Sequence, residues 1–217
     1  MVMNDVGATI KGFAERTDDQ ETVALAESLT TGGRASQAAA FIEAAAAGLN
    51  DSDKKVQSGC IKLLYEIGYR SPELIADKAG LFLGLVKSRN NRLAWGGMIA
   101  LSTIASLCSE ELFEHKEEIL RAIEKGSTIT QDRGIMTLGI VAGSGETFRK
   151  GLFGRLLEFL AACDKKDFPK FCEHIFAAVD SSNAPKYAKI LESRKGELAS
   201  SGRARVERLL KKVSSLE

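Results

Sequence analysis

Proline and aromatic residues are scarce in this chain of 217 residues, which has 3 prolines and an aromatic fraction of 6%. Proline interrupts helices, whereas the abundant alanine and leucine lose little conformational freedom on entering one. No segment alternates apolar and polar residues with a period of two, which is the pattern of a half-buried strand. These absences argue against a β-rich fold and favour an all-α fold.

A long apolar run and a dominant charge are also missing. The longest uncharged run, residues 93–109, is shorter than the ~20 residues typical of a membrane span and contains Gly, Ser and Thr, so we expect a buried helix. Residues 1–13 lack the basic and apolar segments of a secretion signal, so we expect none. The formal net charge is +1, although residues 1–53 are mainly acidic and residues 183–217 mainly basic. Such asymmetry is typical of solvated helix faces or of an end that meets an acidic partner.

Cysteine and histidine provide few candidates for chemistry. None of the four cysteines forms a C-x-x-C pair, and each lies in an apolar helical stretch, so we expect reduced, buried thiols in a cytoplasmic protein. They are Cys60, Cys108, Cys163 and Cys172. The two histidines, His115 and His174, fall on different kinds of predicted helix, and no zinc spacing or phosphate-binding loop is present. We therefore predict no metal, no small-molecule cofactor and no enzymatic activity.

The chain does contain a repeated helix. VQSGCIKLLYEIG at 56–68 aligns with LAWGGMIALSTIA at 93–105 and with TQDRGIMTLGIVA at 130–142, each 37 residues after the last. Looser copies follow at offsets of 38 and 34, around 176–179 and 210–213. Within each copy the apolar residues are spaced by three and four, which places them on one face of a helix. Glycines inside these helices are expected where neighbouring helices pass closely; they are Gly96, Gly97, Gly134 and Gly139.

A second set of helices lies between these copies. Each begins with Ser or Asn followed by Pro or an acidic residue, which are favoured helix-start residues, at 71–73, 109–111, 144–146 and 183–185. The connections are short, so successive helices should pack antiparallel. Towards the N-terminus we predict helices near 20–29 and 36–49, and one more near 4–16.

The lead-in segments DKKVQ at 53–57 and NNRLA at 90–94 resemble those of HEAT and armadillo-type repeats. The resemblance implies an all-α, right-handed α–α superhelix in which the second helices line the concave surface and the first helices the convex one. The period of 34 to 38 is shorter than the ~40–47 residues usual for these repeats. Gln57 and Ala94 also stand where such repeats often carry Arg.

We predict a single domain over residues 1–217, a HEAT-like solenoid of about five helical hairpins plus N-terminal helices. Residues 1–32 form an atypical cap, as expected of a terminal unit with one face in water. The repeats are predicted at 33–69, 70–107, 108–142, 143–182 and 183–217.

Basic residues recur near the starts of the second helices. They are Lys54, Lys55, Arg92, Arg133, Lys170, Arg203 and Arg205. Stacked at the repeat period, they form a column along one edge of the concave face, which can attract phosphates or acidic peptides. The alternative is that these side chains bond to neighbouring repeats. The predicted binding residues on the concave face are Lys55, Arg92, Trp95, Asp132, Arg133 and Lys170.

Trp95 is the only tryptophan, and Asp132 occupies the same repeat position 37 residues later. The two are therefore expected to be neighbours on the concave surface. Trp95, Asp132 and Arg133 are similar in type to residues that HEAT-like DNA glycosylases use on alkylated bases.

We predict a non-catalytic scaffold that binds a protein or peptide on its concave surface. The alternative is a nucleic-acid-binding protein, with glycosylase-like activity as one form of it. The partner's identity and the oligomeric state stay open.

Overall fold

The computed structural model describes Gly12 and residues 19–216, and within them the chain is helical without a strand. The predicted helix near 4–16 lies outside the described residues, apart from Gly12. The described helices are α1 Asp19–Thr30, α2 Ala38–Gly48, α3 Lys54–Gly68, α4 Ala79–Leu85, α5 Asn91–Ile104, α6 Ser109–Glu114, α7 Lys116–Lys125, α8 Thr128–Gly143, α9 Glu146–Ala162, α10 Phe168–Ile175, α11 Ala184–Arg194 and α12 Ser200–Ser214. Short 3₁₀ turns lie at Ala35–Gln37, Pro72–Leu74, Ala76–Lys78, Phe176–Ala178 and Lys195–Glu197.

The helices form two layers. Helices α1, α3, α5, α8, α10 and α12 pack side by side in chain order, and we call them the second-helix row. Helices α2, α4, α7, α9 and α11 pack against this row from one side and form the first-helix row. The three aligned segments of the sequence coincide with α3, α5 and α8, as predicted. The architecture is the expected all-α, right-handed superhelix. The division into numbered repeats stays a prediction.

Side-chain caps define where the central second helices begin. The Asp53 carboxylate accepts from the backbone N–H of Lys55 at 2.8 Å, and the Asn90 side chain accepts from that of Arg92 at 3.1 Å. At α8 the Ser127 hydroxyl accepts from the Thr130 N–H at 3.3 Å. Each cap satisfies a donor that the first turn of a helix leaves free. The caps therefore fix the register of the basic and aromatic residues that follow them.

One continuous hydrophobic core runs between the two rows. Its buried residues extend from Leu25 on α1 to Val213 on α12. Because each hairpin contacts only the hairpins next to it in the stack, its stability depends on them as well as on the packing between its own two helices. Cys60 and Cys172 belong to this core, and burial raises the pKa of the Cys60 thiol to about 12.

Two sequence expectations about local structure need correction. Cys108 and Cys163 are only half-buried, because they cap the ends of α6 and α9 and do not lie inside apolar helices. The predicted first helices near 74–86 and 112–123 are also interrupted, at Ile75 and at His115. In the first of these, Ile75 is fully buried beneath the end of α3, and the short 3₁₀ turns that place it there delay the start of α4.

Polar side chains connect adjacent repeats. Gln57, at a position where HEAT-type repeats often carry Arg, donates to the Asp51 carbonyl at 2.8 Å and accepts from the Asn90 amide at 2.8 Å. Gln57 thereby connects the segment before α3 to Asn90, the capping residue of α5. Ion pairs span repeats in the same way, at Lys78–Glu43, Lys87–Glu118, Arg155–Glu124 and Arg149–Asp180.

The glycines of the second helices mark close helix approach, as predicted. A Cβ atom added to Gly96 would lie 2.6 Å from Ile61 on α3. A Cβ atom on Gly139 would collide with the carbonyl oxygen of His174, which belongs to the backbone of α10. The contact at Gly139 is the more demanding one, because backbone cannot rotate out of the way as a side chain can. The same contact brings His174 of α10 close to α8.

We expect Gly139→Ala to destabilise the protein by about 2 kcal/mol, since overpacking against a neighbouring backbone typically costs 1–3 kcal/mol. The matched control is Gly154→Ala, in the exposed middle of α9, where an added Cβ meets nothing within 4 Å. This control should gain about 0.5–1 kcal/mol from higher helix propensity. Urea unfolding followed by circular dichroism measures both changes. Equal effects of the two substitutions would contradict the close approach of α8 and α10.

Candidate functional site

Three aromatic rings from α3 and α5 meet on one face of the second-helix row. The centroids of Tyr65 and Tyr69, at the end of α3, are 6.0 Å apart, and the rings are nearly perpendicular. The Tyr65 centroid lies 6.3 Å from that of Trp95, in the first turns of α5. These distances are in the range where aromatic rings attract one another. Tyr65 is buried, Trp95 is half-buried and Tyr69 is 47% exposed, so the row of rings opens to solvent at its tyrosine end.

An arginine lies over each end of this row of rings. The guanidinium carbon of Arg92 is 5.1 Å from the Trp95 ring centroid, and that of Arg133 is 5.8 Å from the Tyr69 ring centroid. Both are within the distance at which cation–π attraction is significant. We call Arg92, Trp95, Tyr65, Tyr69 and Arg133 the aromatic–arginine surface.

The contact between Arg133 and Tyr69 shows how this face is curved. Tyr69 follows α3 and Arg133 lies on α8, and α5 packs between these two helices. Neighbouring helix axes are usually 8–10 Å apart, so side chains from α3 and α8 meet only where they lean together over α5. The second-helix row therefore presents a face on which side chains converge, as the concave side of a solenoid does.

An ion cluster adjoins the aromatic–arginine surface. The Asp132 carboxylate is 2.9 Å from Nε2 of His174 and 3.0 Å from Nζ of Lys170, both on α10. The guanidinium of Arg133 lies 3.7 Å from the other carboxylate oxygen. Partial burial alone raises the pKa of Asp132, but the hydrogen bonds from His174 and Lys170 outweigh it and hold the pKa at about 2. Asp132 is therefore ionised throughout the neutral range, and its Oδ1 atom accepts hydrogen bonds from two neighbours.

The remaining basic residues of the predicted column divide into two groups. Lys54 and Lys55, at the start of α3, are exposed. At the C-terminal end, Arg203 donates to the carbonyls of Gly196 and Leu198, and Arg205 pairs with Glu173. Carboxylates thus interrupt the column at α8 and α10, and several of its members bond to neighbouring groups as the alternative interpretation expects.

The six residues predicted for binding fall into three locations. Arg92, Trp95 and Arg133 lie in the aromatic–arginine surface, Asp132 and Lys170 in the adjoining ion cluster, and Lys55 at the exposed start of α3. Trp95 and Asp132 are linked through the aromatic rings and Arg133. Whether these residues bind a partner stays a prediction.

Sequence reasoning missed Tyr65, Tyr69 and the pairing of His174 with Asp132. The repeat position of Trp95 is occupied on α3 by Ser58, whereas the tyrosines lie two and three turns further along that helix. The available signal was their spacing of four residues, which places both rings on one side of a helix. His174 lies on α10 of the second-helix row, whereas His115 lies in the turn between α6 and α7. Among residues 19–216, no three His, Cys, Asp or Glu side chains come together as a metal site requires.

The fold is that of an α-solenoid and resembles armadillo and HEAT repeat structures. An engineered protein of known crystal structure superposes with a TM-score of 0.71 and 16% sequence identity, over 97% of each chain. A designed armadillo repeat protein in complex with peptide (KR)4 gives a TM-score of 0.70 and 12% identity, over 95% of this chain and 98% of that one.

The crystal structure of Kap121p bound to Ste12p is similar over 97% of this chain, with a TM-score of 0.66 and 16% identity. This chain spans only 23% of the length of Kap121p. At such identities the likeness shows the fold alone. No protein-family model matches the sequence, and no curated protein matches it either. In the part of the chain that the structure describes, no helix is long and apolar enough to cross a membrane.

We expect Asp132→Asn to lower the free energy of unfolding by roughly 2 kcal/mol at pH 7, because the pKa of Asp132 is depressed in the fold from an ordinary 3.8 to about 2. A depressed carboxyl pKa stabilises the folded state above the ordinary pKa and ceases to do so as the pH falls through the folded value. The difference between wild type and variant should therefore shrink between about pH 4 and pH 2. Urea unfolding at several pH values measures it.

The control is Glu146→Gln, because Glu146 pairs with Lys150 on the exposed side of α9. Exposed ion pairs contribute little, so this variant should unfold like wild type at neutral pH. A pH-independent loss in Asp132→Asn would show that the carboxylate acts through packing and not through its charge.

Proposed function

We propose that this protein is a non-catalytic scaffold that binds a protein or peptide segment on the concave face of its second-helix row. The observation that carries the proposal is the aromatic–arginine surface, in which side chains from α3, α5 and α8 converge and Tyr69 remains 47% exposed. Tyrosine, tryptophan and arginine are the residues most enriched among those that dominate binding energies at protein interfaces.

The state of Asp132 supports the non-catalytic part of the proposal. A general base works best when its pKa lies near the operating pH. The pKa of Asp132 is about 2, and its carboxylate already accepts hydrogen bonds from His174 and Lys170. A carboxylate in this state is a poor base for activating water. Trp95, Asp132 and Arg133 are similar in type to residues of HEAT-like DNA glycosylases, but Asp132 is not suited to activate water for the removal of a base.

A nucleic-acid partner is the second candidate, because arginine and exposed aromatic rings also bind unpaired bases. The position of the Arg92 guanidinium over the Trp95 ring favours a nucleic-acid partner. The charge distribution favours a peptide instead, because Asp132 and Glu173 interrupt the positive column that a phosphate backbone would follow.

The similar solved structures add support for a peptide or protein partner. The designed armadillo repeat protein is in complex with a peptide, and Kap121p is bound to Ste12p. Fold likeness does not determine function, so this support is weaker than that of the surface itself. The four cysteines carry free thiols, which suits a protein of a reducing compartment such as the cytoplasm.

The direct test is selection from a displayed library of random peptides, followed by affinity measurements on the enriched sequences. Trp95 is the only tryptophan, so its fluorescence reports binding at this surface without a label. We expect Arg133→Ala and Tyr69→Ala each to weaken binding at least tenfold, about 1.4 kcal/mol, as residues central to an interface do.

The matched control is Arg155→Ala on α9, in the first-helix row. Arg155 also lies 5.8 Å from an aromatic ring, that of Phe159, and also contacts carboxylates. It should leave the affinity unchanged. Parallel titrations use single-stranded DNA and duplex DNA with alkylated bases. Salt-sensitive quenching of Trp95 by DNA that is lost in Arg133→Ala, with no enriched peptide, would replace this proposal with the nucleic-acid one.

A further inference from the structure

We infer that the segment bound by the aromatic–arginine surface is an extended acidic peptide, in which two carboxylates flank an apolar or aromatic residue. This inference rests on the proposed function and specifies the chemistry of its partner. It follows from three features of the surface. These are the available N–H groups of its two arginines, its local charge and the spacing of its rings.

Arg92 and Arg133 can each bind a carboxylate from a partner. Arg92 is exposed, its guanidinium carbon lies 5.1 Å from the Trp95 ring centroid, and within residues 19–216 it forms no ion pair with a carboxylate. A guanidinium near an aromatic ring keeps N–H groups with which it can bind a carboxylate in a bidentate manner. The attraction between the cation and the ring favours this position, so that less freedom is lost on binding.

Arg133 has one carboxylate nearby, and its ion pair with that carboxylate is long. Oδ2 of Asp132 lies 3.7 Å from Nε of Arg133, beyond hydrogen-bonding distance, whereas Oδ1 accepts from His174 and Lys170 at 2.9 and 3.0 Å. The Arg133 guanidinium donates to the sulfur of Met136 at 3.5 Å, a weak acceptor. Arg133 can therefore take a carboxylate from a partner without breaking a strong internal bond.

The local charge around the surface is positive. Asp132 is shared among cationic neighbours, and Glu66, beside the two tyrosines, is paired with Arg70 at 2.8 Å. Complementary charge steers a partner and selects against one of like sign. The same argument excludes a basic peptide of the kind that the designed armadillo repeat protein holds.

The rings determine the spacing of the two carboxylates. The path from Arg92 to Arg133 passes over three rings in steps of 5.1, 6.3, 6.0 and 5.8 Å. An extended chain rises ~3.3 Å per residue, so these steps limit the separation of the two carboxylates to about seven residues. The exposed Tyr69 ring and half-buried Trp95 ring lie between the arginines and provide an apolar floor for the residue between the carboxylates.

The test uses synthetic peptides that carry two glutamates around a central leucine or phenylalanine, with the spacing between the glutamates varied in single steps. Matched series replace both glutamates by glutamine or by lysine. Binding is measured by Trp95 fluorescence at low and high salt. We expect the glutamate series to bind at least tenfold more tightly than the glutamine series, with an optimum at or below seven residues, and the lysine series not to bind.

Two variants locate the effect. Arg92→Gln and Arg133→Gln should each reduce the affinity of the glutamate series towards that of the glutamine series and remove the spacing optimum. Arg155→Gln, on α9 of the first-helix row, should retain both the higher affinity for the glutamate series and the spacing optimum. Circular dichroism and urea unfolding confirm that all three variants fold.

The outcomes separate this inference from the proposed function. If glutamine or lysine peptides bind as well as glutamate peptides, and Tyr69→Ala still abolishes binding, the acidic chemistry is wrong but the peptide-binding face stands. If no peptide of any series binds and none was enriched from the random library, both are wrong. Tighter binding of single-stranded DNA than of every peptide, sensitive to Arg92→Gln, would also overturn the inference.

Discussion

Close approach between neighbouring second helices is the constraint on which the rest of this structure depends. At Gly139 the space that a Cβ atom would occupy is taken by the backbone carbonyl of His174 on the next helix of the row, and at Gly96 by the side chain of Ile61. A larger residue at Gly139 would force α8 and α10 apart, whereas at Gly96 the Ile61 side chain would have to shift. The separation of the second helices sets how much apolar surface each hairpin buries against the next, and this burial adds to the packing of the two helices within each hairpin.

The same proximity places the functional side chains. Because α8 and α10 touch at Gly139, the side chain of His174 can reach Asp132 on α8. Because α3, α5 and α8 follow one another on a curved row, Tyr69 and Arg133 meet over the helix between them. Tyrosine and tryptophan have few rotatable bonds, and here each ring rests on another ring or beneath a guanidinium. A surface ordered in advance loses little freedom when a partner binds.

The periodic part of this arrangement could be predicted from the sequence, whereas the contacts between different turns could not. Spacings of three and four residues and a period of 37 located α3, α5 and α8, and glycine at a buried helix position indicated close approach. Alignment by repeat position compares residues at the same height on successive helices. The Trp95 ring instead contacts Tyr65, which lies two turns beyond the matching position on α3. The Arg133 side chain on α8 contacts Tyr69 at the end of α3, although α5 packs between these two helices. Such contacts depend on side-chain direction and superhelical curvature, which a period does not contain. The interrupted first helices escaped prediction for a related reason, because burial of Ile75 overrides a pattern that is helical throughout.

The basic residues on the second-helix row are of two kinds. Some are paired with carboxylates of neighbouring helices, and others can still bind an anionic group from a partner. Lys170 is committed to Asp132, and Arg205 to Glu173, so these cations link adjacent second helices and contribute little field beyond their own pair. Arg92 lacks such a carboxylate in the described residues, and Arg133 lies over a ring with one carboxylate oxygen, Oδ2 of Asp132, 3.7 Å away. Placing an arginine over an aromatic ring keeps it ordered without neutralising it. A column of basic residues that looks uniform in the sequence therefore separates into residues that hold the solenoid together and two that are poised to meet an anionic group from outside.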